Sequence, residues 1–222
     1  MTEEKYDFQR AKKENAELTD RMLRWLSFPI SKFIILYTPL VPNQITLFGF
    51  LLSLMGCFFF LRGDHLSLII GGLFIFLRQI FDQVDGEVAR IKGLGSSLGK
   101  WLDGVTDFLS PELIIFSLAI GIGTPLAYLV GAFTAIAYPM QYLLVYYYKL
   151  EIVNSSEPIK MGKGNKFNFL RHIYGSVLFY VLVPLFVFMN KPLWALIFFA
   201  VIGNLFWVGT LLIQYLTLRK KD

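Results

Sequence analysis

The sequence is poor in cysteine and in charge. Cys57 is the single cysteine of the 222-residue chain, so neither an intramolecular disulfide nor a metal cluster of thiolates is expected, and redox chemistry is disfavoured. Only 17% of the residues are charged, whereas 55% are hydrophobic and 17% are aromatic. A water-soluble domain carries more charge than this, so the composition predicts an integral membrane protein.

The N-terminal arm lacks an apolar core of its own. Residues 1–20 are rich in charges, which excludes a cleavable signal peptide, so the first apolar span is expected to direct insertion. Over residues 18–37, apolar positions recur at helical spacing beside three basic residues. This pattern predicts an amphipathic helix on the cytoplasmic interface. Pro29 interrupts the pattern, so an ordinary polar lead-in to the first span is the alternative.

Long apolar runs recur through the rest of the chain, each long enough or nearly so to cross about 30 Å of hydrocarbon as a helix. They lie near residues 45–61, 66–81, 98–122, 126–148, 170–189 and 193–218. Asn43 is the predicted N-cap of the first run. We therefore predict an all-α integral membrane protein with six transmembrane helices after an N-terminal amphipathic interfacial helix. The predicted parts are an arm with the interfacial helix, residues 1–38, and a six-helix transmembrane catalytic domain, residues 39–222.

The basic residues are distributed unevenly between the two sides of such a membrane domain. With six spans, every lysine and arginine except Arg62 and Lys191 falls on one side. The positive-inside rule makes that side cytoplasmic, and it places both termini there. The net charge of +5 then follows from basic flanks that suit an anionic leaflet, so no nucleic-acid partner is needed.

Four aspartates are concentrated in residues 81–108, FDQVDGEVARIKGLGSSLGKWLDGVTDF. Ionisable residues in a membrane domain are costly unless they are paired, hydrated or bound to metal. Helical spacing places the first two aspartates on one face with Gly86, Ala89 and Arg90, and places the last two on a second face with Gly99. The short link KGLGSS lets the two helices turn back on each other. We therefore expect a shared site of four carboxylates: Asp82, Asp85, Asp103 and Asp107.

Four converging carboxylates repel one another unless cations lie between them, so we expect one or two divalent ions with oxygen ligands, magnesium or manganese. Such a site suits substitution at a phosphate, because metal ions neutralise pyrophosphate oxygens and stabilise the departing charge. Arg90 can fork onto a phosphate, and Gly86 and Gly99 leave room for a substrate against the backbone. A proton relay or an ion path is the alternative, but it does not require this pattern of glycine, alanine and arginine.

The spacing D-x2-D-G-x2-A-R-x8-G-x3-D-x3-D resembles the signature of the CDP-alcohol phosphotransferase family, with every fixed position present between residues 82 and 107. The resemblance implies that the four aspartates bind two metal ions and that Asp107 also takes the proton of the acceptor hydroxyl. It implies that the hydroxyl attacks the phosphorus distal to cytidine and that CMP leaves. The residues implied for the CDP moiety are Asn43, Thr46, Gly86, Arg90, Ser96 and Gly99.

The substrates are less well defined by the sequence. Family resemblance implies either CDP-diacylglycerol with a small polar acceptor, such as glycerol phosphate, inositol phosphate or serine, or a CDP-aminoalcohol with diacylglycerol. The small size and the six spans favour CDP-diacylglycerol, with acyl chains in an apolar groove of the membrane domain. Phe108 stands where members that use inositol phosphate often carry arginine, which disfavours that acceptor. The resemblance also implies a homodimer in contact with membrane lipids.

One basic cluster in the fourth connection is a candidate site for a phosphorylated acceptor. Positive-inside bias alone would also supply such residues, so both interpretations stay open. The cluster comprises Lys160, Lys163, Lys166 and Arg171.

Overall fold

The computed structural model describes residues 6–11, 18–153 and 176–219, and over these residues the chain is helical. A short 3-10 turn, Phe8–Ala11, precedes the first helix. The α-helices are α1 (Leu18–Tyr37), α2 (Pro42–Arg62), α3 (His65–Lys92), α4 (Ser97–Ile122), α5 (Pro125–Tyr147), α6 (Ser176–Phe188) and α7 (Pro192–Arg219). A π-helical segment, Tyr148–Val153, extends α5. The predicted all-α class is thus confirmed for the described residues.

Five of these helices are long and apolar enough to cross a membrane: α2, α3, α4, α5 with its extension, and α7. They coincide with five of the six predicted spans. The remaining span, predicted near residues 170–189, coincides in part with the shorter apolar helix α6, and its first residues lie outside the described part of the chain. The sixth span therefore stays a prediction. Apolar side chains on the outer surface, among them Phe58, Leu129 and Leu205, suit contact with lipid tails.

The boundaries of α2 differ from the prediction at the N-terminus. Val41 is the N-cap, with extended backbone, and its N–H donates to the Gln44 side chain over 3.1 Å. Pro42 occupies the first helical turn, where its missing N–H costs nothing. Asn43 therefore lies inside the first turn, and its prediction as the N-cap was wrong. The fixed φ of Pro42 starts the helix two residues earlier than a capping side chain at Asn43 would.

Helix α1 packs along α3 through a small apolar cluster. Ile34 and Ile35 are buried there with Ile80 and Val84 of α3. The helix continues through Pro29, although proline removes one intrahelical hydrogen bond. A helix over residues 18–37 is therefore present, while its place at the membrane interface remains a prediction.

A larger apolar core joins the spans. Phe60 of α2, Ile75 of α3, Leu118 of α4 and Tyr180 of α6 are all fully buried in it. Helices α5 and α7 are also linked by side-chain hydrogen bonds, which in an apolar environment have few competing partners. These bonds join Thr134 to the Leu196 carbonyl, Asn204 to the Phe133 carbonyl and Gln214 to the Leu144 carbonyl. The core holds these helices in a fixed arrangement. The C-terminal turns of α3 and the N-terminal turns of α4 contribute no residue to it.

Candidate active site

The site lies where α3 ends and α4 begins. Helix α3 continues eleven residues past the apolar run predicted to end at Phe81, so its last three turns carry polar residues. Gly93 ends the helix in the left-handed conformation, with φ of 66°, a region in which a glycine carries no steric penalty. Three residues later Ser96 caps α4 by accepting a hydrogen bond from the Gly99 N–H over 3.0 Å. This tight turn sets the two acidic faces against each other.

Three of the four aspartates meet across these helices. Asp82 of α3 and Asp103 and Asp107 of α4 each offer a carboxylate oxygen, and these oxygens lie within 4.8 Å of one another. The Asp82 and Asp107 side chains are 25% and 31% exposed, so the group is partly open rather than sealed in the core. Hard carboxylate oxygens at this spacing fit a divalent cation such as magnesium or manganese. The residues present therefore fit the expected metal.

Asp85 lies beside this group in a more closed environment. Its side chain is buried, and Oδ2 accepts a 2.6 Å hydrogen bond from the Thr46 hydroxyl of α2. The carboxylate is still within electrostatic reach of Asp82 and Asp103. Among the described residues, the set of mutually close ligand atoms comprises the other three aspartates. Thr46, which the resemblance assigns to the nucleotide, here positions Asp85.

Arg78 is a site residue that the sequence analysis missed. It lies one helical turn before Asp82 and is 3% exposed. Its Nη2 lies 2.5 Å from Oδ1 of Asp107 and 3.3 Å from Oδ1 of Asp82. The guanidinium also stacks on the Tyr180 ring, 4.2 Å from the centroid. The i, i+4 spacing to Asp82 was the available signal, but the positive-inside pattern accounted for Arg78 as one of the basic residues on the cytoplasmic side.

The residues expected at the nucleotide lie in two groups. Asn43 of α2 approaches Ser96 and Gly99 at the start of α4, so closely that a Cβ on Gly99 would stand 2.8 Å from Oδ1 of Asn43. Gly86 and Arg90 lie on the other side, near the end of α3. A Cβ on Gly86 would stand 3.1 Å from Nη1 of Arg90. At both glycines the missing side chain makes room for a polar neighbour.

Arg90 contacts the N-terminal segment of the chain. Its Nη2 and Nε donate to the Ala11 carbonyl over 3.0 and 3.3 Å. Ala11 is buried in the apolar cluster that α1 forms on α3. The Arg90 guanidinium, which was expected to fork onto a phosphate, is thus held against the last residue of the 3-10 turn.

Glu87 has three partners on α1 that no sequence pattern predicted. Oε1 accepts a hydrogen bond from Ser27 over 3.0 Å, and Oε2 accepts one from Ser31 over 2.6 Å. Arg24 adds an ion pair at 3.9 Å. The Glu87 carboxylate therefore links α3 to α1. The remaining candidates, the basic cluster of Lys160, Lys163, Lys166 and Arg171, lie outside the described residues.

The helices and the acidic group together define a polytopic membrane protein with a carboxylate site at the ends of two spans. The chain belongs to the CDP-alcohol phosphatidyltransferase family, whose model matches residues 39–205. The resemblance drawn from the signature is thereby confirmed.

Individual relatives are similar over shorter stretches. The archaetidylinositol phosphate synthase of Pyrococcus horikoshii is 35% identical over 83 residues, which are 37% of this chain and 42% of that protein. The bifunctional IPC transferase and DIPP synthase of Rubrobacter xylanophilus is 38% identical over 97 residues, 44% of this chain and 22% of that protein. The chain therefore spans less than half the length of these relatives.

A solved structure shares the fold over most of the chain. It is the phosphatidylinositol phosphate synthase of Mycobacterium tuberculosis with CDP-DAG bound. The two superpose with a TM-score of 0.58 over 89% of this chain and 94% of that one, at 18% identity. At this identity the likeness establishes the fold alone.

Proposed function

We propose that the protein is a CDP-alcohol phosphotransferase of phospholipid biosynthesis. It transfers a substituted phosphate group from CDP-diacylglycerol to the hydroxyl of a small polar alcohol, with release of CMP. The observation that carries this proposal is the meeting of Asp82, Asp103 and Asp107 within the family signature. The other residues of that signature surround the same turn between α3 and α4.

Asp107 is the proposed general base. It accepts the proton of the acceptor hydroxyl as the hydroxyl oxygen bonds to the phosphorus distal to cytidine. The bond from that phosphorus to the bridging oxygen breaks, and CMP leaves with the electron pair. Asp82, Asp85, Asp103 and Asp107 would hold two magnesium or manganese ions. When bound, such ions neutralise the phosphate oxygens and stabilise the departing charge.

The CDP moiety is proposed to lie along the turn between the two helices. Asn43, Ser96 and Gly99 form one side, where the absent side chain of Gly99 lets the polar side chains of Asn43 and Ser96 lie close to the start of α4, available to a ribose or a base. Thr46 acts through Asp85, whose carboxylate it orients. Gly86 and Arg90 form the other side, where Arg90 keeps its charge next to the phosphates while the Ala11 carbonyl fixes its position.

Two observations support a lipid donor. Phe108 and Leu109 follow Asp107 directly and are 37% and 47% exposed, so an apolar surface begins beside the base. Acyl chains on such a surface would place the diphosphate at the carboxylates. The related fold with CDP-DAG bound adds to this support. The homodimer, the cytoplasmic orientation of the site and both termini, and the contact with membrane lipids remain part of the same proposal.

A phosphorylated acceptor is the preferred class. The Pyrococcus relative is an archaetidylinositol phosphate synthase, which favours inositol phosphate although Phe108 stands where members that use this acceptor often carry arginine. Lys160, Lys163, Lys166 and Arg171 are the proposed partners of the acceptor phosphate. A CDP-aminoalcohol donor with diacylglycerol as acceptor is the alternative within the same reaction class.

The deciding experiment measures CMP release by the purified full-length chain in detergent with magnesium and CDP-diacylglycerol. Glycerol 3-phosphate, inositol 1-phosphate, inositol and serine are offered separately. Activity with inositol 1-phosphate or glycerol 3-phosphate, but not with inositol or serine, supports the proposal. Activity with inositol or serine alone contradicts the phosphorylated acceptor. A CDP-aminoalcohol with diacylglycerol is offered next, and silence with every pair would favour an ion-coupled transporter.

Asp107→Asn tests the base. We expect this variant to lose turnover while it still binds the nucleotide, whereas Asp85→Asn should also lose metal. Asp64→Asn is the matched control, because Asp64 caps α3 at its other end and asparagine caps a helix equally well. Near-normal turnover of Asp107→Asn would show that another group accepts the proton.

A further inference from the structure

Arg78 has a position that the family signature does not account for, since the signature begins at Asp82. We propose that Arg78 is a positioning residue that fixes the Asp107 carboxylate in the orientation needed to receive the acceptor proton. This inference rests on the proposed function and extends it to a residue outside the motif.

The contact with Asp107 occupies one carboxylate oxygen. Arg78 Nη2 donates to Oδ1 over 2.5 Å, the range of a strong, charge-assisted bond. The carboxylate therefore has a defined rotation about its last bond, and Oδ2 is the oxygen left for the acceptor proton. Because Arg78 lies on α3 and Asp107 on α4, the same contact also fixes the distance between the two helices at the site. The second contact, to Asp82, anchors Arg78 on its own helix.

The guanidinium is itself held firmly. Arg78 is 3% exposed, and its guanidinium carbon lies over the Tyr180 ring, 4.2 Å from the centroid. Tyr180 belongs to α6 and is fully buried, so its ring restricts movement of the Arg78 guanidinium on that side. A side chain enclosed in this way cannot swing towards solvent when substrate arrives. The orientation it imposes on Asp107 is therefore present before the substrate binds, which is the condition for efficient proton transfer.

Packing alone does not explain an arginine at this position. Burying a charged group is costly unless its partners are well placed, and a methionine would fill similar space without that cost. Arg78 Nη1 is buried and has no hydrogen-bond partner among the described residues. Because burying this charged group costs free energy, we infer that the site requires the charge and the planar geometry of Arg78 next to the carboxylates.

The test compares Arg78→Met and Arg78→Lys with the wild-type chain in lipid nanodiscs, with Arg62→Met as the control. Arg62 is an exposed arginine at the opposite end of α2 from the site. For each protein we would measure kcat and KM for CMP release, Mn²⁺ binding by electron paramagnetic resonance, and thermal unfolding. Manganese binding reports on the carboxylates independently of turnover.

We expect Arg78→Met to lower kcat by about 100-fold, the lower end of what a general base contributes. The KM values should change by less than about threefold, because substrate contacts remain. Mn²⁺ binding should be unchanged or tighter, since a positive charge next to the ligands has been removed. Arg78→Lys keeps the charge but loses the planar contact, so its kcat should lie about tenfold below wild type. Arg62→Met should match wild type.

Normal kcat in Arg78→Met would overturn the inference. A loss of activity accompanied by Mn²⁺ binding weakened more than about tenfold would also overturn it, because substitution of a residue that organises the metal ligands produces that effect. If Arg78→Met does not fold, Arg78→Lys decides, and wild-type kcat in that variant refutes the need for the guanidinium geometry. Absence of CMP release by the wild-type chain would instead refute the proposed function, and the positioning role with it.

Discussion

The attachment of α1 to α3 through Glu87 can be tested by removing one hydroxyl. Ser31 donates to Oε2 of Glu87 over 2.6 Å, and both side chains are buried. Ser31→Ala leaves a buried carboxylate oxygen without this donor, while Ser27 and Arg24 still contact the other oxygen. The change removes one strong contact and almost no volume, so the effect can be assigned to the hydrogen bond.

The expected magnitude follows from the chemistry of that contact. A hydrogen bond to a charged group contributes about 1.5–3 kcal/mol, and we take about 2 kcal/mol for this short, buried one. A local opening of α1 away from α3 would then become about 30-fold more frequent, since 1.4 kcal/mol corresponds to a factor of ten. Amide hydrogen exchange followed by mass spectrometry measures this directly, because the amides of α1 exchange when the helix opens.

The control is Ser117→Ala. Ser117 is buried in α4, and its hydroxyl donates over 3.0 Å to the Ile114 carbonyl of the same helix, so α1 should be unaffected. In Ser31→Ala, exchange should accelerate in α1 and stay at the wild-type rate in α2 and α4. An α1 exchange rate within twofold of wild type would show that the contact with Glu87 does not hold the helix. Equal acceleration in every helix would point to global destabilisation instead.

Two further substitutions test the site itself. Gly99→Ala would displace the Asn43 side chain, which stands 2.8 Å from the added Cβ, so we expect the KM for the CDP donor to rise by about three- to tenfold. Gly104→Ala on the same helix is the control, because its added Cβ has no neighbour within 4 Å. An equal rise in KM in both variants would contradict the steric argument. Thr46→Val removes the 2.6 Å bond to Asp85, and we expect Mn²⁺ binding weakened by about tenfold. Thr46→Ser should restore the binding, and weakening in Thr46→Ser as large as in Thr46→Val would refute a role for the hydroxyl.

Local sequence patterns predicted the parts of the site that depend on one helix or one turn. The i, i+4 spacing of Asp103 and Asp107 fixes their common face, and a short link with a glycine turn then requires α3 and α4 to meet. Contacts between distant segments could not be predicted in this way. Ser27 and Ser31 lie 60 and 56 residues before Glu87, and their approach depends on how α1 is rotated on α3. No periodicity within either helix encodes that rotation.

Arg78 illustrates a different difficulty. In the sequence Arg78 lies three residues before the end of a predicted span, and the positive-inside rule explains basic residues near a span end without any site. The structure distinguishes it by burial, because the Arg78 side chain is 3% exposed whereas that of Arg62 is 61% exposed. An arginine that must remain buried needs partners of opposite charge. The carboxylates one turn further along α3 and across on α4 meet that requirement.

Polar residues along the C-terminal half of α3 face different neighbours, and this arrangement predicts how substitutions along the helix should differ. Arg78 and Asp82 face α4, Asp85 faces α2, and Glu87 and Arg90 face α1 and the N-terminal turn. Changes at Arg78, Asp82 and Asp85 should therefore alter proton transfer and metal binding while α1 stays docked. Changes at Glu87 should loosen α1 first and alter catalysis only through it, whereas changes at Arg90 should free the N-terminal turn and also weaken binding of the CDP moiety. One rigid helix can both carry the carboxylate site and dock α1, because consecutive side chains are about 100° apart around its axis and contact different partners.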